Sequence, residues 1–277
     1  EGYDYLLAVG GGSVIDGTKF VAAAAKYDGD AWDILTSMGG KIETALPFGT
    51  VLTLPATGSE MNKGSVVNRE SMQAKLPFMS ELVFPQFSVL DPVKTYTLPI
   101  RQVGNGAVDA FVHVVEQYLT YRANAPVQDR FAEGLLQTLV ELGPQSLETP
   151  EDYNVRASLM WTATLALNGL IGVGVPQDWS THMLGHELTA QHGLDHAQTL
   201  AVVLPAMLNE KFEQKQAKLA QFAERVWHIE QGSEAEKAQQ AIEKTRDFFE
   251  RMNVKTRMSD YDLDESAIEP LIEGLTQ

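Results

Sequence analysis

The sequence predicts an α/β half followed by an all-helical half, and three observations carry that reading. A short apolar run at residues 5–9 meets a glycine cluster and is followed by an alanine-rich helical pattern over 14–26, the order of strand, turn and helix in α/β folds. Near Pro99 the pattern changes, and apolar residues then recur at spacings of three and four almost to the end. The chain has 277 residues, 44% of them hydrophobic, enough for one large domain or two modest ones with real cores. We expect an α/β domain over 1–98 and a helical domain over 99–277, packed tightly with a cleft between them.

A second strand is expected at 49–54, where an apolar run ends at a turn. Residues 65–69, 75–78 and 87–90 read as further short strands, and their close spacing favours antiparallel pairing. The helical half is expected to break near Gly143-Pro144, at Gly174 with Pro176, at Gly193 and at Gly232, and to end on a helical stretch at 268–275. The first residue is not Met and the chain starts directly on a strand-like run, so it reads as a fragment of a longer protein.

Charge and composition exclude several classes. Against 21 Lys and Arg stand 37 Asp and Glu, a net charge of −16 with no basic cluster, so a phosphate backbone would be repelled and nucleic acid is not an expected partner. There is no cysteine, which rules out disulfides, thiolate ligands and a cysteine nucleophile. No apolar run approaches the roughly 18 to 20 residues of a membrane span, and no leader-like segment opens the chain, so a cytoplasmic enzyme is expected.

The run Gly10-Gly11-Gly12-Ser13 lies where a strand meets a helix, a place where free N–H groups and the helix dipole favour an anion. Ser13 can cap the helix or donate to a phosphate oxygen. The run fits neither GxGxxG nor GxxxxGK[ST], and alone it could be a tight turn. Asp16 and Lys19 read as a solvated flank of that helix. A second loop, Thr53 to Glu60, again joins a strand end to hydroxyl and glycine residues, and the two loops could converge on one ligand.

The strongest signal is histidine. Of six in the chain, His182, His186, His192 and His196 fall within fifteen residues, where about 0.3 would be expected at this composition. His182 and His186 are one helical turn apart, as are Asp109 and His113 within an otherwise apolar helix. The latter pair points inward, at a cost of several kcal/mol if left unpaired. Each pair alone could be structural, the Asp–His pair a simple ion pair. Together, imidazoles and a carboxylate suit Zn2+ or Fe2+ and are too soft and too poor in oxygen for Ca2+ or Mg2+. Spacing alone leaves open which of the four clustered histidines are ligands. Asp195 reads as a helix N-cap with Gln198 as its capping-box partner, which puts His196 at the first helical position. His228 is given no role.

With GGGSVIDGTK, TLPATGSE, DAFVH, HMLGHE and GLDHAQTLA placed in order, the chain resembles the iron-containing alcohol dehydrogenases over essentially its whole length, nearest to the branch of NADPH-dependent butanol dehydrogenases and aldehyde reductases. The resemblance implies a dehydroquinate synthase-like architecture: an incomplete Rossmann-like nucleotide-binding domain and an all-α metal-binding domain. It implies Asp109, His113, His182 and His196 as ligands of one divalent metal, Zn2+ or Fe2+, and moves His186 toward the nicotinamide as a catalytic residue. Gly11, Gly12 and Ser13 match its pyrophosphate loop, and Asp16, Thr53, Thr57, Asn62 and Lys75 match its cofactor contacts. It further implies NADP(H), with NAD(H) an alternative, a small alcohol or aldehyde substrate, and a homodimer. The alternatives are a glycerol dehydrogenase or dehydroquinate synthase relative, a metallohydrolase using His182 and His186 with Glu187 as base, and an inactive fragment.

Overall fold

The computed structural model describes residues 2–72 and 74–275. Strand β1 (Leu6–Gly11) runs straight into helix α1 (Gly12–Ala24), and a short helix α2 (Trp32–Thr36) leads to β2 (Phe48–Leu54). The hairpin β3 (Gly64–Arg69) and β4 (Ala74–Met79) follows, then β5 (Ser88–Leu90). Strands β1, β2 and β5 form a parallel sheet with β2 in the middle, Leu6 opposite Phe48 and Thr50 opposite Ser88. The expected antiparallel pairing holds for β3 with β4 but not for residues 87–90. The connection from Leu54 to Ser88 is long enough for a parallel crossover, and the hairpin is built inside it.

Helix α1 differs from expectation in two ways. It begins at Gly12, so Ser13 lies within the first turn and its N-terminus has no side-chain cap. The flank carrying Asp16 and Lys19 is buried, because β3 packs across it. Lys19 is fully buried, and its ammonium donates to Asn62 O (2.9 Å), Asn62 Oδ1 (3.0 Å) and Gly64 O (2.7 Å). These are all the donors an ammonium has. The Asp16 carboxylate accepts from the Ser59 hydroxyl and from Val66 N–H (2.9 Å). Burial lowers the Lys19 pKa to about 8, against the pull of Asp16 and Glu60.

The other half is built around α3 (Ile100–Tyr118), buried at every residue from Val103 to Tyr118. Phe111 at its centre stacks obliquely or edge-on against Phe222, Trp227, Phe248 and Phe249, with centroids 5.0–6.3 Å apart. Burying a side chain of this size contributes about 2–3 kcal/mol. Around α3 lie α4 (Pro126–Glu148), α5 (Tyr153–Ala166), α6 (Ser180–His192), α7 (His196–Glu210), α8 (Phe212–Arg225), α9 (Glu234–Arg251) and α10 (Ile268–Leu275). Gly174, Gly193 and Gly232 fall between helices as expected. Gly143 and Pro144 do not: α4 continues through them. Both are buried, and Gly143 lets α4 close on Met252 and Phe248, packing that offsets the hydrogen bond Pro144 cannot make.

The loop after β2 lies directly on the helical half. A Cβ on Gly106 of α3 would come within 2.5 Å of the Pro55 carbonyl oxygen, so main chain meets main chain there. Thr164 Oγ1 of α5 donates to Glu60 Oε1 (2.5 Å), and Asn62 Nδ2 donates to Leu167 O (3.3 Å). Among the described residues, no helix is long and apolar enough to cross a membrane.

Candidate metal centre

One stripe on α3 organises the centre. Asn105, Asp109, His113 and Glu116 follow at spacings of four, four and three, so they share a helix face. Helix α6 brings His182 and His186 to that face, and the first residue of α7 brings His196. Asn105 Nδ2 donates to Asp195 Oδ2 (2.8 Å), fixing the residue before His196. Gln198 Oε1 accepts from Asp195 N–H (3.0 Å), the capping-box contact read from the sequence.

Asp109 Oδ1 stands 3.6 Å from His113 Nδ1, 3.8 Å from His182 Nε2 and 3.7 Å from His196 Nε2. These separations are too long for hydrogen bonds. They are close to the roughly 3.4 Å between neighbouring ligand atoms around a tetrahedral ion with bonds of about 2.1 Å. Asp109 Oδ1, His113 Nδ1 and His182 Nε2 are buried without any hydrogen-bond partner, and Asp109, His113 and His182 form a group compact enough to hold an ion. Buried polar atoms without partners are uncommon in a native fold. Three of them converging on one point fit a divalent cation. The side chains of Asp109, His113 and His182 are 5–7% exposed and that of His196 24%, so the centre opens on the His196 side.

For Asp109, His113 and His196 the electrostatics agree with that assignment of lone pairs. Burial opposes ionisation of Asp109, but His113, His196 and His182 outweigh it and hold its carboxyl well below the usual range. Burial pushes His113 down to about 4 and drives His196 well below its ordinary value, Lys75 adding to the effect on His196. Both imidazoles are therefore neutral, the form that ligates. His182 moves up to about 9 because Asp109 and Glu116 overcome its burial. His186 is pushed down to about 3 by burial and by the charges of Lys75 and His182. It packs against His196, ring centroids 5.3 Å apart.

The loops called on for a cofactor also meet. Gly11 lies opposite Leu54 at the carboxyl ends of β1 and β2, the end of a parallel sheet where ligands bind. A Cβ on Gly12 would strike Thr57 Oγ1 at 2.6 Å, so the two loops touch. Gly11, Gly12, Ser13, Thr53 and Thr57 are thus brought together. Asp16 and Asn62 are instead tied into the scaffold beneath: Asn62 Oδ1 accepts from Lys19 and Gly64 N–H, and its amide donates to Thr57 O (3.2 Å). Lys75, on β4, lies close enough to influence Asp109, His186 and His196, and burial lowers its own pKa. His192 ends α6 and His228 is exposed, both apart from the cluster.

Sequence reasoning missed Asn105 and Glu116, although both were signalled as polar residues in register with Asp109 on an otherwise apolar helix. Glu187 turns the other way, with Gln191 Nε2 donating to it (3.3 Å) and Gly274 of α10 against it. The metallohydrolase alternative therefore lacks its base at the cluster.

A parallel sheet with a glycine turn at its carboxyl end, joined to a helical bundle with a histidine–carboxylate centre, defines a class of α/β-plus-helical metalloenzyme. Residues 1–92 match the family model described as iron-containing alcohol dehydrogenase, and residues 104–274 match that of the C-terminal part of the Fe-containing alcohol dehydrogenase family. The chain belongs to the iron-containing alcohol dehydrogenase family. It is 62% identical over 275 residues to the NADPH-dependent aldehyde reductase YqhD of Escherichia coli K12, covering 99% of this chain and 71% of that protein. It is 42% identical to a probable NADH-dependent butanol dehydrogenase of Bacillus subtilis, over 98% of this chain and 70% of the relative. The crystal structure of E. coli YqhD superposes with a TM-score of 0.98 over 99% of this chain and 70% of that one, at 62% identity. That of an NADH-dependent butanol dehydrogenase from Thermotoga maritima gives 0.94 at 34% identity, over 99% and 68%.

Proposed function

We propose that this chain transfers hydride between NADP(H) and a short-chain alcohol or aldehyde, with Asp109, His113, His182 and His196 as ligands of one divalent metal. The observation that carries the reading is the convergence of three imidazole nitrogens on one carboxylate oxygen without hydrogen bonds between them. Relatives named as an aldehyde reductase and butanol dehydrogenases support the substrate class. When bound, the ion supplies Lewis acidity toward the substrate oxygen and the nicotinamide gives or takes the hydride.

The chain's own residues bind and align. Gly11, Gly12 and Ser13 offer the start of α1 to a pyrophosphate, and Thr53 and Thr57 border the same pocket. Asp16 and Asn62 hold these loops in place through the buried network around Lys19, and Lys75 reaches from β4 toward the cleft. His186 keeps a neutral imidazole, able to accept a hydrogen bond at one nitrogen while donating from the other, and so relays a proton to or from the substrate oxygen. We take residues 1–98 and 99–277 as two domains with this cleft at their junction, where ligand sites commonly lie.

The test is NADPH-dependent reduction of butyraldehyde. Stripping the metal with a chelator, or Asp109→Ala, is expected to lower the rate by about 10²–10³-fold or more, with zinc or iron content falling in parallel. Full activity in a metal-free or Asp109→Ala protein would sink the reading.

A further inference from the structure

Glu116 stands out among the buried groups the proposed chemistry does not use. It is 4% exposed, and among the described residues no lysine or arginine pairs with it. One carboxylate oxygen, Oε1, accepts from Thr181 N–H (2.7 Å) at the start of α6, and the other, Oε2, accepts from His182 Nδ1–H. Its main-chain oxygen accepts from Asp178 N–H (2.9 Å), just before α6. The N-cap residue of α6, Trp179, offers no side-chain cap, and of the helix N–H groups Asp178 Oδ1 accepts only the first, that of Ser180 (3.2 Å), so the N–H of Thr181 needs a cap from elsewhere. A carboxylate from α3 supplies that function, on the favourable end of the helix dipole.

A cap needs only one acceptor, and burying a carboxylate with no lysine or arginine beside it is expensive. The second oxygen gives the residue its further use. A ligating imidazole is neutral and carries one N–H, so an acceptor at Nδ1 keeps that proton there and gives Nε2 to the metal. That is the nitrogen 3.8 Å from Asp109 Oδ1.

Resting on the metal site proposed above, we propose that Glu116 is the positioning residue that makes His182 a ligand: it holds the His182 proton on Nδ1 and, with the same carboxylate, fixes the end of the helix that carries it. Glutamine cannot replace it. Its amide accepts at one end only, so its NH2 must face either Thr181 N–H or His182 Nδ1–H.

The experiment uses the full chain and two readouts independent of turnover. Zinc affinity is measured by competition with a chromophoric chelator, and the His182 tautomer by 15N NMR of the zinc-loaded protein. Glu116→Gln is expected to weaken zinc binding by about 10–100-fold. In a His182→Ala background the same substitution should add less than about twofold, because its effect passes through that ring. In the unsubstituted protein the His182 proton is expected on Nδ1. Parental zinc affinity in Glu116→Gln, or a proton on Nε2, would overturn the proposal. If Glu116→Gln does not fold, the hydrogen bond itself decides. The His182 Nδ1–H proton resonance of the zinc-loaded protein is expected far downfield, as a carboxylate acceptor makes it, and an unshifted resonance would overturn the proposal. Should Asp109→Ala keep zinc at parental affinity, the metal-site reading fails and this inference with it. Zinc lost in Asp109→Ala but held in Glu116→Gln overturns the inference alone.

Discussion

Lys19 and Asp109 are both buried charges, one on each side of the loop 55–62, and their surroundings differ in kind. Every donor of Lys19 is matched, and the neighbouring Asp16 is held by Ser59 and Val66. Around Asp109 the nearest polar atoms stand too far off to bond and several have no partner. A cluster that satisfies itself is architecture, because nothing remains for a ligand to complete. A cluster that leaves its lone pairs aimed at one point is a site. Burial, charge and residue type would not have separated the two; the accounting of hydrogen bonds does.

The contrast can be broken by experiment, beginning with the largest effect. Loading the metal-stripped protein with zinc at about a thousand times the dissociation constant should stabilise it by about 4 kcal/mol, read as a rise in melting temperature that Asp109→Ala abolishes. No rise would mean that the Asp109 cluster needs no ion. Next, Lys19→Met leaves the carbonyls of Asn62 and Gly64 without their donor and should cost about 3 kcal/mol in urea unfolding, with zinc content unchanged. Zinc lost in proportion to stability would mean that the clusters are one unit.

The smallest effect is a slope. Lys19 titrates near 8 when folded and at its ordinary 10.5 when unfolded, so between these values the unfolded chain holds the extra proton. Stability therefore rises with pH across that window. The advantage of the parent over Lys19→Met should widen there by up to about 1.4 kcal/mol per pH unit. A gap that is constant or narrows from pH 8 to 10 would contradict the burial of an ammonium.

Much of this was legible in the sequence. The order of elements follows from local pattern, and the capping box at Asp195 and Gln198 placed His196 at a helix start where the structure has it. The clustering of imidazoles pointed to a metal without saying which of them turn inward. What stayed hidden depends on long-range packing. Lys19 looked solvated because the strand that covers it lies more than forty residues away, and Glu116 looked like one more helical glutamate because its partner is 66 residues distant. Residues 87–90 looked antiparallel because spacing cannot show that a hairpin is folded into the crossover. Pro144 looked like a helix end because the packing of α9 is invisible along α4.

Gly106 has a consequence for how such a cleft can vary. Three residues before Asp109, it sets the helix that carries the proposed ion directly on the carbonyl of Pro55, where the loop proposed for the dinucleotide begins. Side-chain contacts have rotamers and can readjust; this contact has none. The gap across which a hydride would travel is thus gauged by backbone against backbone. The walls of the cleft can accumulate substitutions that change which alcohols fit while that gap stays the same width.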